Sequence, residues 1–287
     1  MARCSDTKCH DKHVDGGFWG PFFPNDGSFE FVPIPESKMV RVTKNKCYPK
    51  EYLRGTQGES TYGNAQGNRL KETIFRTISS HVDVSKQMMY KLKTVAIHND
   101  PDFRRCTYGE GHSGRGQQCG KLRKNDFLVF CAALRDCRTG VRNQFVIGYY
   151  VIKEKHDFMK LKKEGNKTLC RKIVAEYWDK NAHFSKSFAR AWGFSDGRKE
   201  LRDWYLSQKE DDLILMIGKE GQSGLLKKAI QLTGYDGEKP FCMPRKLFKD
   251  LGVESQFFNR GFKWVYDESV DNLRDLLEDN NAIHEIA

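Results

Sequence analysis

The most constraining feature of the sequence is a pair of apolar stretches, Asp126 to Leu134 and Gln144 to Ile152, separated by a charged turn from Asp136 to Gly140. A short unbroken apolar run that begins after turn residues is typical of a strand buried on both faces. Two such runs joined by a short polar turn predict an antiparallel hairpin. The chain must therefore fold around a buried sheet.

Helical spacing of apolar residues appears mainly in the second half of the chain. The segment from Leu169 to Trp178 has this spacing, and a second helix is expected from Met243 to Leu251, with Pro244 in its first turn and Gly252 after its end. A strand is predicted from Asp211 to Ile217, a short helix from Leu225 to Ile230, and a terminal amphipathic helix after Val270. These elements predict an α+β fold with a mainly antiparallel sheet flanked by helices.

Polar segments containing glycine interrupt the first half of the chain. Asn25-Asp26-Gly27 predicts a tight turn, since these residues tolerate the positive φ that such turns need. Polar loops are predicted from Lys44 to Asn68 and from Thr107 to Gly120, and a helical or mixed segment from Leu70 to Met89. Long ordered loops are often functional, so we expect the site among them.

The charge balance favours a polyanionic partner. The chain has 49 Lys and Arg against 38 Asp and Glu, a formal net charge of +11. Neutralising phosphates releases condensed counterions, so nucleic acid or nucleotide is the expected partner. No apolar run approaches the length of a membrane helix, and the residues after Met1 do not resemble a signal peptide. We therefore predict a cytoplasmic protein with free thiols and no membrane partner.

Residues 1–16 are predicted to be a flexible basic leader, followed by a single composite domain over residues 17–287. The leader contains Cys4, Cys9, His10 and His13, which are residue types that bind zinc. Their spacing does not match common zinc-finger patterns, and adjacent residues such as Cys9 and His10 rarely bind one ion together. The sequence therefore predicts no metal site, and it identifies no cofactor.

Several phrases of the sequence, taken together, resemble the nucleotide modification associated domain 3 family. Asn125 to Phe130 and Ile147 to Tyr149 are similar to a strand pair of that family, although Asn125 stands where the family has Gly. The resemblance runs from about Phe18 to Trp264, where Gly261 to Trp264 lacks an expected Pro-Arg. The other phrases are Gly27–Glu36, Thr61–Gly63, Asp100–Phe103, Thr107–Gly109, Asn181–His183, Leu225–Ile230 and Arg260.

The family resemblance implies an association with DNA base modification, but it implies no catalytic residue. At the level of the fold, the predicted hairpin also resembles small β-barrels of the PUA and EVE type. This second comparison is an analogy between folds and does not by itself indicate a function.

The candidate site lies between His98 and His112, in a segment rich in titratable and stacking side chains. Histidine titrates near neutrality, and paired carboxylates can act as acids, bases or metal ligands. An alternative for Asp102 is a structural cap of the loop, and Tyr62 in the earlier loop can equally be a packed turn residue. The predicted catalytic residues are His98, Asp100, Asp102 and His112, with His98 or His112 as the proton carrier. The predicted nucleotide-binding residues are Trp19, Tyr62, Tyr108, Glu110, Arg104, Arg105 and Arg115.

Three functions remain open from the sequence. The first is an enzyme that modifies a base or nucleotide in DNA, with the arginines holding phosphate. The second is a non-enzymatic, PUA-like reader of modified or flipped bases, which needs the same basic face but no proton carrier. The third is an accessory partner in a modification or restriction complex. The enzyme and reader hypotheses expect the Tyr62 loop and the Asp100 to His112 segment to lie together.

Overall fold

In a computed structural model, the predicted hairpin forms the centre of a seven-stranded sheet. The structure describes residues 2–5, 20–43, 46–62, 93–112, 114–207, 212–234, 242–253, 265 and 267–279. Strand β8 (Phe127–Asp136) pairs antiparallel with β9 (Arg142–Asp157), from Phe127 opposite Val151 to Arg135 opposite Arg142. Phe130 and Val129 point into different apolar clusters, so both faces of the hairpin are buried, as predicted.

The remaining strands extend this hairpin on both sides. β1 (Ala2–Ser5) and β2 (Gly20–Phe22) pair parallel with β8. β10 (Leu213–Gly218) and β11 (Gly224–Gln231) pair antiparallel with β9, and β7 (Thr107–Gly111) pairs with β10. The mixed parallel and antiparallel sheet curls into a half-barrel, so the α+β class is confirmed, while a PUA- or EVE-like barrel stays a prediction.

The helix predicted from Leu225 to Ile230 is wrong, because this segment is strand β11. β10 and β11 follow the same edge of β9 one after the other, with a short interruption between them. The Lys219 amide donates to the Val151 carbonyl, and the Val151 amide donates to the Ser223 hydroxyl. Pairing with the backbone of β9 therefore keeps β11 extended, although its apolar residues have helical spacing.

Two small sheets lie beside the half-barrel. β3 (Ile34–Pro35) pairs with β6 (Ile97–His98), and β4 (Ser37–Thr43) pairs with β5 (Lys46–Tyr52). The loop predicted from Lys44 to Asn68 is wrong over Lys46–Tyr52, because the backbone of this segment pairs with β4 and forms strand β5. The predicted loop from Thr107 to Gly120 is also wrong, because β10 pairs with β7 and a helix, α1 (Gly114–Cys119), follows. The segment predicted from Leu70 to Met89 lies outside the described residues.

The predicted helices are confirmed at Leu169 to Trp178, at Met243 to Leu251 and after Val270. Four helices and a 3₁₀ turn form a layer that packs on Leu213, Leu215 and Ile217 of β10. The helices of the layer are α2 (Phe158–Lys163), α3 (Lys167–Glu176), α4 (Lys186–Ala191) and α5 (Gly197–Ser207), with the 3₁₀ turn at Ala182–Phe184. The chain then adds α6 (Arg245–Asp250), a 3₁₀ turn at Asp267–Ser269 and α7 (Val270–Asp279).

The leader is described only at Ala2–Ser5, which form β1. Cys9, His10, His13 and Trp19 lie outside the described residues. The absence of a metal site in the leader and the nucleotide-binding role of Trp19 therefore stay predictions. No helix within the described part of the chain is long and apolar enough to cross a membrane.

Candidate functional site

The Tyr62 loop lies against the residues just before His98. The Ile97 amide donates to the Ser60 carbonyl at 2.9 Å, and the Tyr62 amide donates to the Val95 carbonyl at 3.3 Å. The ring of Tyr62 is buried, and its hydroxyl donates to the Pro33 carbonyl at 2.6 Å. The loop thus supports the strand that carries His98.

His98 ends β6, where it meets a buried carboxylate. Its Nδ1 lies 2.9 Å from Oε2 of Glu36, and the His98 and Glu36 side chains are only 12% and 7% exposed. Burial lowers the pKa of His98, but the charge and hydrogen bond of Glu36 outweigh it, with smaller contributions from Asp100 and Glu110, so that the pKa is raised above its usual value. With Nδ1 bound to Glu36, Nε2 is the ring nitrogen left for another partner.

Asp100 follows His98 by two residues and has two differently used oxygens. Oδ1 accepts hydrogen bonds from the Gly109 amide at 2.9 Å and from the Asn181 side-chain amide at 3.4 Å. Oδ2 lies 3.4 Å from Nε2 of His183. One carboxylate oxygen therefore fixes the side chain, while the other faces an imidazole.

His183 comes from the 3₁₀ turn in the helical layer, far away in the sequence. The Asn181 side chain accepts a hydrogen bond from the His183 amide at 2.9 Å and donates to Asp100, so it connects the two residues. The rings of His98 and His183 meet edge to face with centroids 5.0 Å apart, and Phe188 packs against both.

Glycine at position 109 is required by the position of His183. A Cβ on Gly109 would lie 2.5 Å from Cδ2 of His183 and 3.0 Å from Cδ1 of Leu213. The imidazole thus packs directly on the backbone of β7. A larger side chain at this position would have to displace His183 or Leu213.

His98, Asp100 and His183 form the centre of the candidate site. One potential metal-ligand atom from each lies within 4.8 Å of those from the other two. Two imidazoles and a carboxylate at this separation can bind a metal ion or polarise a bound substrate.

Asp102 lies near this centre in sequence, but its carboxylate closes a turn. Oδ1 accepts hydrogen bonds from the amides of Arg104 and Arg105, each at 3.0 Å, and Oδ2 lies 2.8 Å from Nη1 of Arg105. The side chain is buried, and the backbone of Asp102 pairs with that of Thr107. These contacts fit the structural alternative for Asp102.

Tyr108 and Glu110 point to the face of β7 opposite Gly109. The Tyr108 hydroxyl donates to Oε2 of Glu110 at 2.7 Å, and Nε of Arg115 lies 3.4 Å from the same oxygen. Burial, followed by the charge of Glu110, raises the pKa of Tyr108 well above its usual value. The ring packs on Phe130 in the core, whereas Arg104 is exposed and the side chains of Arg105 and Arg115 are about half exposed.

His112 forms a separate pair after the end of β7. Its Nε2 lies 3.4 Å from Oδ2 of Asp157, which is the N-cap of α2. Of the predicted catalytic residues, the structure therefore brings His98 and Asp100 together, and places Asp102 and His112 in other local contacts.

Glu36, Asn181 and His183 belong to the site although the sequence did not single them out. Glu36 is the last residue of the phrase from Gly27, and Asn181 and His183 belong to one short phrase. Each phrase carries the family resemblance. The signal that could have found these residues was the resemblance itself, because two of its phrases contain a titratable side chain.

One of three comparisons with known proteins agrees with this resemblance. No curated protein and no solved structure matches the chain. A family model described as nucleotide modification associated domain 3 matches residues 8–278, nearly the whole chain. The chain therefore belongs to the nucleotide modification associated domain 3 family.

Proposed function

We propose that the chain is an enzyme of DNA base or nucleotide modification whose chemistry takes place at His98, Asp100 and His183. The observation that carries the proposal is the convergence of two imidazoles and a carboxylate from distant parts of the chain, within 4.8 Å of one another. Two imidazoles and a carboxylate held together in this way can supply an acid, a base or metal ligands to a reaction. The family description supplies the substrate class.

Three arginines that lie near Asp100 in the sequence give the proposal a role for phosphate. Arg104, Arg105 and Arg115 follow or flank the segment that carries Asp100, and all three side chains reach solvent. Arg105 and Arg115 also contact carboxylates, which hold the guanidinium groups in place. In this proposal they contact the phosphate groups of the substrate without reading the base.

Nucleoside mass spectrometry of DNA from host cells tests the proposal. Cells that express the wild-type chain are compared with cells that express Asp100→Asn or His183→Ala. We expect these variants to lower the modified nucleoside by about 100-fold or more, since positioned acid, base or metal-binding groups contribute at least that much. His156→Gln is the matched control, because His156 is a partly buried histidine that contacts Glu154 instead.

A reader gives a different result in the same cells. If both variants leave the modified nucleoside unchanged but weaken binding to modified oligonucleotides, the enzyme proposal is wrong and the PUA-like reader is favoured. A binding constant that does not change with salt would contradict the phosphate contacts of either function.

A further inference from the structure

We propose that His98, Asp100 and His183 bind a divalent first-row transition metal ion, zinc or iron(II). The ligand atoms are Nε2 of His98, Oδ2 of Asp100 and Nε2 of His183. This inference goes beyond the proposed function, since ion binding needs no nucleotide and can be measured without one.

The donor set indicates which ions fit. Two imidazole nitrogens and one carboxylate oxygen suit zinc and iron(II), whereas magnesium and calcium prefer oxygen ligands alone. Three protein ligands leave at least one coordination position for water or substrate, as in catalytic zinc sites and in non-haem iron sites. The site is therefore expected to be catalytic in type.

The measured separation agrees with shared coordination. Two ligands at about 2.1 Å from a tetrahedral ion lie about 3.4 Å apart. Oδ2 of Asp100 and Nε2 of His183 are separated by 3.4 Å, which is longer than a normal hydrogen bond. One potential ligand atom from each of the three residues lies within 4.8 Å of those from the other two.

The groups behind the ligands orient them as in known metal sites. Glu36 holds Nδ1 of His98 at 2.9 Å, which directs Nε2 away from Glu36. The Gly109 amide and Asn181 bind Oδ1 of Asp100, which leaves Oδ2 for an ion. Metal-binding histidines almost always have such a carboxylate or carbonyl on the other nitrogen. Two of the three ligands are therefore oriented before any ion binds.

Metal loading of the full chain tests the inference. The purified chain is stripped with a chelator, dialysed against Zn²⁺ or anaerobically against Fe²⁺, and its metal content is measured. We expect about one ion per chain, as for a single three-ligand site. His98→Ala, Asp100→Ala and His183→Ala should each lose this ion, while His112→Ala and His156→Ala should keep it. Full retention in the first three variants overturns the inference.

The leader residues require their own control. A variant with Cys4→Ser, Cys9→Ser, His10→Ala and His13→Ala should still bind the ion. If this variant loses the ion while His183→Ala keeps it, the site lies in the leader and the inference is wrong. Absorption of Co²⁺-loaded chain separates the two cases independently, because thiolate ligands give an intense charge-transfer band that nitrogen and oxygen ligands lack.

A variant that keeps all three ligands distinguishes ion binding from loss of folding. Glu36→Gln removes only the charge behind His98, so we expect the ion to bind about 10-fold to 100-fold more weakly. Glu154→Gln, which alters the carboxylate beside His156, should leave the affinity unchanged. Equal affinities for Glu36→Gln and wild type would contradict the assigned ligand atoms.

These outcomes are independent of those for the proposed function. A chain that binds the ion as predicted but modifies no nucleotide would disprove the proposed function and leave the metal site standing. A chain that modifies the nucleotide but never binds the ion would disprove the metal site and leave the proposed function standing.

Discussion

Two histidine–aspartate pairs in this chain have the same separation but different surroundings. Nε2 of His183 lies 3.4 Å from Oδ2 of Asp100, and Nε2 of His112 lies 3.4 Å from Oδ2 of Asp157. Asp100 is the more buried of the two aspartates, with 6% of its side chain exposed against 23% for Asp157. The distance between the partners therefore does not distinguish a candidate site from a structural pair.

The surroundings of each carboxylate make the difference. Asp100 has a second imidazole beside it, and its other oxygen is held by the Gly109 amide and Asn181. Oδ1 of Asp157 instead accepts the Lys160 amide and caps α2. In the same helix α2, Nζ of Lys162 lies 2.5 Å from Oδ2 of Asp212, so an ammonium group supplies positive charge to that carboxylate. A pair becomes a candidate site when a further ligand and a fixed outer hydrogen bond are present.

The largest loss of stability is expected for Asp100→Ala, and Asp157→Ala is its matched control. Removing the Asp100 carboxylate leaves the buried Gly109 amide without its acceptor, and we expect the free energy of unfolding to fall by about 3 kcal/mol. Asp157→Ala removes a helix cap, which costs about 1 kcal/mol. Urea unfolding with a chelator present measures both, so that bound metal contributes to neither value. Equal losses of unfolding free energy would show that Asp100 and Asp157 stabilise the fold to the same extent, which would contradict the contrast between the two pairs.

Gly109→Ala is expected to have the next largest effect. The added methyl group would lie 2.5 Å from Cδ2 of His183, so we expect a loss of about 2 kcal/mol from overpacking and weaker binding of a metal ion. Gly197→Ala is the matched control, because its Cβ meets only Trp178 at 3.6 Å. That variant should be neutral or stabilised by up to about 1 kcal/mol. If both variants have the same urea midpoint, His183 does not pack on β7 as described.

The elements that the sequence predicted correctly are those with strong local patterns. The hairpin of β8 and β9 and helix α3 each have an apolar pattern that identifies them. β11 was misread because its conformation depends on pairing with β9, which residues 225–230 do not reveal on their own. Local patterns therefore predict the centre of the sheet and β10, but not a strand such as β11, whose conformation depends on its pairing.

The same limit applies to the site. His98 and Asp100 were predicted together because they lie two positions apart in one polar segment. Glu36 contacts His98 across 62 positions, and Asn181 contacts Asp100 across 81 positions. Contacts between residues so far apart in the sequence depend on how the helical layer and the sheet of β3 and β6 pack against β7. A single sequence carries no direct signal for them beyond the family phrases.

The smallest effect is expected at His112. His112→Gln removes a partly exposed contact with the Asp157 carboxylate, so the free energy of unfolding should change by less than about 1 kcal/mol. Because His112 contacts Asp157 rather than Asp100, nucleotide modification should fall much less in His112→Gln than in His183→Gln, as measured by nucleoside mass spectrometry. The contrast between the two pairs depends on this result. Should His112→Gln abolish modification as fully as Asp100→Asn, both pairs would belong to one larger site, as the sequence segment from His98 to His112 first indicated.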